Sequence, residues 1–516
     1  MPATSPRRQT LADLLRRTRL RYPAKTAIRC GTVSWTYAEL DDTCTRLARG
    51  LAGQGVAAGD RVAVLARNSH AFVALRFAVA RLGAVLVPIN FMLNAEEVRY
   101  ILDHSGASLL AMDSLSAAVA REAAAGTAVR QRVWLPGEDA SEPVPGLQTF
   151  DALLLDGPTL PEPALEHNAL AQIIYTSGTE SRPKSAMLTH AAVIAEYVTC
   201  LVDAEIAHGD VVLHALPLYH CAQLDVFLGP CIYVGATNVI TGKPTADNLL
   251  ALMGREGITS FFAPPTVWIG LLRSPQFDAT DLTRLAKGYY GASIMPVEVL
   301  KEILRRLPGT RLWNLYGQTE IAPVATVLLP EDQLRKAGSA GRAALNVETR
   351  IVDDAMQDVA PGQVGEIVHR SPQLLSGYYR DPERTAAAFE GGWFHSGDLG
   401  VLDDEGYLTV VDRKKDMIKT GGENVASREV EEVLYGIDGV SEVAVIGLSD
   451  PKWIEAVTAV IVLKPGSMLD EAGVIAAAGT RLAHFKLPKR VHFVDALPKN
   501  PSGKLLKREL RRLYDN

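Results

Sequence analysis

The stretch Tyr175-Thr176-Ser177-Gly178-Thr179-Glu180-Ser181-Arg182-Pro183-Lys184-Ser185-Ala186-Met187-Leu188-Thr189-His190 decides how this chain reads. Hydroxyl side chains and Gly178 fill its first half, and Lys184 follows a proline. A mostly apolar run, Ala171 to Ile174, leads into it, and an apolar pattern with helical spacing follows. The order predicted is strand, polar loop, helix. That order suits phosphates, because hydroxyls and backbone N–H groups bond phosphate oxygens and a lysine supplies the opposing charge. The Gly-x-x-x-x-Gly-Lys-Ser/Thr spacing of a Walker loop is absent. Glu180 also places a negative charge inside the loop. Taken alone, the segment reads equally as a Ser/Thr-rich surface turn, so its meaning rests on the rest of the chain.

Working outward, 516 residues are too many for one hydrophobic core and predict more than one domain. Hydrophobic residues at 47% and charged residues at 22% are ordinary for a globular protein. A net charge of −6 argues against a nucleic-acid binder, which carries a basic excess. Cys30, Cys44, Cys200, Cys221 and Cys231 form no Cys-x-x-Cys pair and read as reduced, mostly buried thiols of a cytoplasmic protein. Between Met1 and Tyr22 stand Arg7, Arg8, Arg16, Arg17, Arg19 and Arg21, with no apolar core of signal-peptide length. Leu11, Leu14, Leu15 and Leu20 share one helix face, read as a first helix packed on its own domain in preference to a membrane-surface helix. No apolar run reaches transmembrane length.

From Arg61 to about Leu110 apolar strands alternate with helices: Arg61-Val-Ala-Val-Leu-Ala, the helix Phe72 to Leu82, then Ala84-Val-Leu-Val-Pro-Ile. The rhythm recurs at Gly209–Leu216, Gly235–Ile240 and Gly257–Ala263 and predicts parallel sheet with helical crossovers. After about Gly341 short strands dominate, at Thr349-Arg-Ile-Val, Gly365-Glu-Ile-Val and Tyr407-Leu-Thr-Val-Val, separated by turns. The charged run Asp412-Arg-Lys-Lys-Asp416 reads as an interdomain link, and the residues after it as a small α+β domain.

Further segments give the first loop its company. Tyr316-Gly-Gln-Thr-Glu320 follows the strand-like Thr310-Arg-Leu-Trp-Asn-Leu. Gly392-Trp-Phe-His-Ser-Gly-Asp398 and Arg413-Lys-Lys-Asp-Met-Ile-Lys-Thr-Gly-Gly-Glu-Asn424 come next, and Leu497-Pro-Lys-Asn-Pro-Ser-Gly-Lys504 stands near the end. Together, in this order from about Leu11 to Leu513, they resemble the adenylate-forming superfamily of acyl-CoA synthetases, peptide-synthetase adenylation domains and beetle luciferases. The fatty-acyl and aryl-acid CoA ligases are the branch most similar.

The resemblance implies an α/β fold. A large N-terminal domain of stacked parallel-type sheets and helices, with a distorted β-barrel subdomain, spans residues 1–411. A hinge at 412–417 leads to a small mobile α+β lid domain at 418–516. It also implies two half-reactions: a carboxylate attacks ATP to give acyl-adenylate and pyrophosphate, and a thiol then displaces AMP after the C-terminal domain rotates. ATP, Mg²⁺ and coenzyme A are the implied cofactors and substrates.

Residue by residue, Thr176, Ser177, Gly178, Thr179 and Lys184 match the loop that embraces the outer phosphates, and Glu320 the magnesium-binding glutamate. Thr319 matches the α-phosphate contact, Tyr316 with Gly317 the adenine stack, and Gly291-Ala292-Ser293 the other adenine face; Asn314 belongs to the same nucleotide pocket. Asp398 matches the ribose-binding aspartate, Arg413 a second ribose contact, and Lys415 the hinge residue. Gly421-Gly422 match the glycines of the pantetheine tunnel, where glycine allows close backbone approach. Lys504 matches the lysine that meets the substrate carboxylate and α-phosphate during adenylation, an electrostatic role.

The acyl site is expected between Tyr219-His220, His220 standing as the gate to the thiol tunnel, and the largely apolar Phe262, Val267, Trp268, Gly291, Ile294, Ala322 and Val324. That lining favours an apolar acid, of medium or long chain or with a bulky ring system. Asp225 reads as a surface or helix-capping aspartate and not as a ligand for an amino-acid amine. The function expected is thus an ATP-dependent, AMP-forming acyl-CoA synthetase. The alternatives are a free-standing enzyme that loads a carrier-protein thiol, and a catalytically weak nucleotide-binding protein; a homodimer is an open option.

The chain departs from the family pattern in two places. Glu180, Ser181 and Ser185 replace the usual Thr, Gly and Gly of the loop, which restricts φ. Glu180 is expected to turn away from the phosphates, toward Arg182 or a cation of the C-terminal domain. Ile454 stands where many relatives have glycine in a Gly-Glu pair, while Glu455 remains.

Overall fold

The computed structural model describes residues 9–139, 142–158, 160–166, 168–176, 183–293, 295–414, 416–420, 423–499 and 505–515. Among them the β-strands form sheets of eight, nine, four and five strands.

The short apolar runs make parallel strands because both of their faces are covered. Arg61–Leu65 and Val85–Pro88 pair in parallel, with the helix His70–Arg81 as their crossover. That helix is apolar almost all round, as a helix sunk in a core must be, and Arg76 is its buried exception. The eight-stranded sheet runs Gly377–Tyr378, Lys184–Thr189, Leu170–Thr176, Val85–Pro88, Arg61–Leu65, Leu109–Met112, Gln131–Trp134, Gln148–Thr149. The nine-stranded sheet runs Arg342–Ala343, Val324–Leu328, Arg311–Gly317, Lys287–Gly291, Ser260–Phe262, Val211–His214, Thr237–Ile240, Thr26–Cys30, Val33–Thr36. Its interior strands are parallel and its two ends antiparallel.

The strand-rich unit is an antiparallel sheet of Glu348–Val352, Gly365–Arg370, Phe394–Leu402 and Leu408–Arg413. Gly341 bridges to Leu408 and so ties it to the end of the nine-stranded sheet. The last unit carries its strands on the helices Ser427–Tyr435, Glu471–Ala478 and Lys507–Tyr514, around a core of its own.

The first helix, Leu11–Arg21, starts in a capping box between Thr10 and Asp13 and buries Leu11, Leu14 and Leu15. Leu20 departs from the expected face and is 74% exposed, because Thr18 takes the inward position. All the cysteines are buried free thiols, and no described helix is long and apolar enough to cross a membrane. Ile454 sits in the left-handed region with φ +72. That conformation is strained for a β-branched side chain and free for glycine, a physical reason for glycine at this place.

Candidate active site

The opening stretch folds differently from the expected strand, loop and helix. Lys184–Thr189, expected as loop, is a strand antiparallel to Leu170–Thr176, and the expected helix follows from His190, capped by Thr189. Thr176 and Lys184 are cross-strand partners, so they face each other at the mouth of a hairpin.

Glu320 is buried on a short turn, Thr319–Ile321, that follows the strand Arg311–Gly317. Its carboxylate Oε1 accepts the Tyr378 hydroxyl at 3.0 Å, and its carbonyl accepts the Leu375 N–H at 2.8 Å. The half-buried Lys184 lies over the Tyr378 ring, Nζ 5.6 Å from its centroid. Tyr378, which the sequence reading passed over, thus joins Glu320 and Lys184. Gly317 is required by packing, since a Cβ there would run into the Pro323 carbonyl.

Asp398, expected to bind ribose, lies inside the strand Phe394–Leu402, opposite Arg413. Asp398 Oδ2 accepts the Tyr316 hydroxyl at 2.7 Å, and the Arg413 Nε stands 3.4 Å from Oδ1. Burial and then the Asp398 charge push the Tyr316 phenol well up, so it remains a donor. Gln318 donates to the Ser396 carbonyl at 3.3 Å and closes the same edge. Gly291 lies beside Leu315, Ala292 is exposed at φ +64, and Ser293 is half-buried. Asn314 points elsewhere and donates to the Ser339 carbonyl at 2.9 Å.

His220 caps the short helix Cys221–Gln223, accepting the Ala222 N–H at 3.1 Å. The next residue, Cys221, places its thiol 3.3 Å from the Thr319 hydroxyl, so this turn abuts the expected α-phosphate contact. Buried polar groups hold the turn. Asn68 donates to the Leu216 and Thr241 carbonyls and accepts from Leu218 N–H. Gln223 accepts the Leu216 N–H at 3.2 Å and bonds His214 Nδ1 at 2.8 Å. Downstream, Leu224–Leu228 is a π-helical turn, a form often found at functional sites.

Asp225 sits in that turn with no exposure at all, which corrects the surface or capping reading. It pairs with the equally buried Arg76 and accepts from Gln172 Nε2 at 2.7 Å and the Tyr197 hydroxyl at 3.3 Å. Burial pushes the Asp225 carboxyl up and Arg76 opposes that rise. The Tyr197 ring lies against Gly229, where a Cβ would overlap it. Nothing local in the sequence pointed to this pairing.

The expected acyl wall is split. Tyr219 packs edge-on to Phe91 at 5.5 Å, and Ala322 and Val324 are buried beside the turn. Phe262 stacks on Phe227 at 4.6 Å in one core. Trp268 is fixed in another by its Nε1–H bond to the Tyr289 carbonyl at 3.0 Å and by Phe261. Phe261 and Phe262 are adjacent in one strand and point to opposite faces, so Phe262 and the Trp268 that packs on Phe261 belong to different cores. The half-buried Val267 packs with Trp268's core.

Ser177, Gly178, Thr179, Glu180, Ser181, Arg182, Ile294, Lys415, Gly421, Gly422 and Lys504 lie outside the described residues. Beside the last of these, Lys499 and Leu505 bridge to each other.

The chain matches the family described as AMP-binding enzyme over residues 15–379 and the AMP-binding enzyme C-terminal domain over residues 429–504. It is 38% identical to a feruloyl-CoA synthase of Amycolatopsis sp, over 95% of this chain and 96% of that one. It is 37% identical to a long-chain-fatty-acid–CoA ligase of Mycobacterium tuberculosis, over 93% of each. An anthranilate CoA ligase solved with anthranoyl-AMP has TM-score 0.90 at 25% identity, covering 98% of this chain and 97% of that one. Fold and site therefore define an adenylate-forming enzyme, and the chain belongs to the AMP-binding enzyme family. Within it the chain is an AMP-forming acid–thiol ligase of the acyl-CoA and aryl-CoA branch, with ATP and CoA as substrates.

Proposed function

We propose that this ligase activates an apolar carboxylic acid, of medium or long chain or with a bulky ring system, as its acyl-adenylate and then passes the acyl group to CoA. The observation that carries the reading is the meeting of Tyr316, Asp398 and Arg413 at one end of the site and of Lys184, Tyr378 and Glu320 at the other. A ribose diol suits the first group, whose carboxylate is held between a phenol and a guanidinium. Phosphates suit the second, which offers one cation and one carboxylate.

The fit to Mg²⁺ follows from donor chemistry. No group of three or more His, Cys, Asp or Glu that could hold a metal stands among the described residues. Glu320 together with the nucleotide's own phosphates is the usual way this ion is held. Once bound, it would neutralise phosphate charge as pyrophosphate leaves. Tyr316 then bears on adenine with its ring plane fixed by the bond to Asp398. Thr319 and Thr176 bear on phosphates. Lys504 supplies positive charge where the carboxylate meets the α-phosphate, which stabilises the charge of the transition state.

Apolar Tyr219, Phe262, Ala322 and Val324 near the turn of His220 support an apolar acid. Relatives named for feruloyl and long-chain fatty acids point the same way. The domain reading stays 1–411, 412–417 and 418–516. In its support, Asp412 accepts both the N–H and the hydroxyl of Ser427 at 2.7 Å, just where the chain passes into its last unit.

The test is release of pyrophosphate and AMP with ATP and CoA across a panel of fatty, aromatic and polycyclic acids. Turnover with apolar acids is the expected result. A sugar acid or dicarboxylate as best substrate would overturn the pocket reading, and no product with any acid would overturn the whole.

A further inference from the structure

We infer that Tyr378 is a positioning residue that orients Glu320 toward the divalent ion and seats Lys184 toward the phosphates. The inference rests on the reading of Glu320 as the ion's protein ligand.

Tyr378 stands on the edge strand Gly377–Tyr378, paired with Met187 and Ala186 of the strand that begins at Lys184. Its main chain is fixed by that ladder and by the Thr385 hydroxyl, which accepts Tyr378 N–H at 2.9 Å. The side chain is 4% exposed, so the ring has little freedom. Its hydroxyl meets only one carboxylate oxygen of Glu320, at 3.0 Å. Among the described residues no donor reaches the other oxygen, Oε2. The Leu375 N–H, three residues upstream of Tyr378, holds the Glu320 carbonyl. One short segment therefore clamps Glu320 by main chain and by side chain.

A carboxylate fixed through one oxygen presents the other in a single direction, which lowers the cost of capturing a small ion that demands near-octahedral geometry. The Tyr378 ring presents its face to Lys184 Nζ at 5.6 Å. One side chain thus sets the distance between the cation and the carboxylate that would grip one polyphosphate.

The hydroxyl and the ring are separable by substitution. Tyr378→Phe removes the bond to Glu320 and keeps the face under Lys184, whereas Tyr378→Leu removes both. The measurement is ATP affinity of the full chain by calorimetry, with and without Mn²⁺ and with no acid present, so no turnover enters. In the wild type Mn²⁺ tightens ATP binding. In Tyr378→Phe that tightening falls about tenfold, as for loss of a group that supports a metal ligand, while metal-free ATP affinity stays within twofold. Tyr378→Leu loses the tightening and also weakens metal-free binding.

Glu320→Gln separates the two layers of the argument. If it abolishes the tightening and Tyr378→Phe leaves it within twofold of wild type, the role of Tyr378 is overturned. If Glu320→Gln leaves it unchanged, or the wild type shows none, the reading of Glu320 fails and this inference with it. Melting temperatures of the variants confirm that folded proteins are compared.

Discussion

At the nucleoside end, Tyr316, Asp398 and Arg413 meet across strand edges, and two of the three remain half-exposed. Around His220 the supporting groups are sunk: Arg76, Asp225, Gln223, His214 and Asn68 are all buried. In the first set the Asp398 carboxylate is itself buried, but the two groups that hold it, Tyr316 and Arg413, reach solvent. The second spends its polar groups on the protein itself, pinning a turn and a π-helical segment from inside. A change in the first should therefore be felt in binding, and a change in the second in stability.

The largest effect tests the buried set. Asp225→Ala strands the Arg76 guanidinium in the core, and its cost should be about 3–5 kcal/mol, read as a lowered denaturation midpoint. A loss under 1 kcal/mol would mean that water reaches the pair, and the contrast would weaken. Next comes the lysine of the C-terminal unit. Lys504→Ala should lower ATP–pyrophosphate exchange by about 10²–10³ and slow thioester formation from preformed adenylate far less. Equal losses in the two half-reactions would remove its assignment to adenylation.

Asp398→Ala is the matching break at the nucleoside end. ATP affinity should fall about tenfold to a hundredfold, the range for one hydrogen bond to a charged group, with a denaturation midpoint close to wild type. If this variant proved as unstable as Asp225→Ala, the two regions would not differ in kind.

The mildest effect near neutrality is acid sensitivity. Burial pushes His214 down from 6.5 to about 4, and Gln223 donates to its Nδ1 while Nε2 faces the Asn238 side-chain Oδ1. The folded-state value lies below the unfolded one, so the unfolded chain takes the proton first. Stability is then full above about pH 6.5 and falls as pH drops toward about 4. His70 and His369, both pushed down to about 4 by burial, act in the same direction. A His214→Gln variant should show a shallower fall of melting temperature over that window, and an unchanged slope would exclude His214 as a contributor.

Much of the site was legible because its motifs are local. Tyr316 with Glu320 and Asp398 before Arg413 sit in short runs whose residue types carry the chemistry, and the fold brings those runs together. Tyr378 was not legible. It lies 58 residues from Glu320, and the run Gly377-Tyr-Tyr-Arg-Asp-Pro382 has no feature that names its partner. Asp225 was misread because an acid among apolar residues looks like a cap until Arg76, 149 residues away, is seen beside it. Lys184–Thr189 was read as part of the loop because a run so short, with Lys184, Ser185 and Thr189 in it, shows no clear period. Pairing with Leu170–Thr176 is what makes it a strand.

By itself, then, the sequence determined the alternation of strands and helices, the change of texture after Gly341 and the short runs that hold the proposed nucleotide-handling residues. Each of these is written in side-chain period or in residue type over a short window. Only the tertiary structure decided that Leu170–Thr176 and Lys184–Thr189 pair antiparallel, that Phe262 and Trp268 face different cores, and that Tyr378 stands between Lys184 and Glu320. These depend on which distant strand or side chain supplies the partner. Hydrogen-bond ladders and buried ion pairs are satisfied only in three dimensions, so no local pattern specifies them in advance.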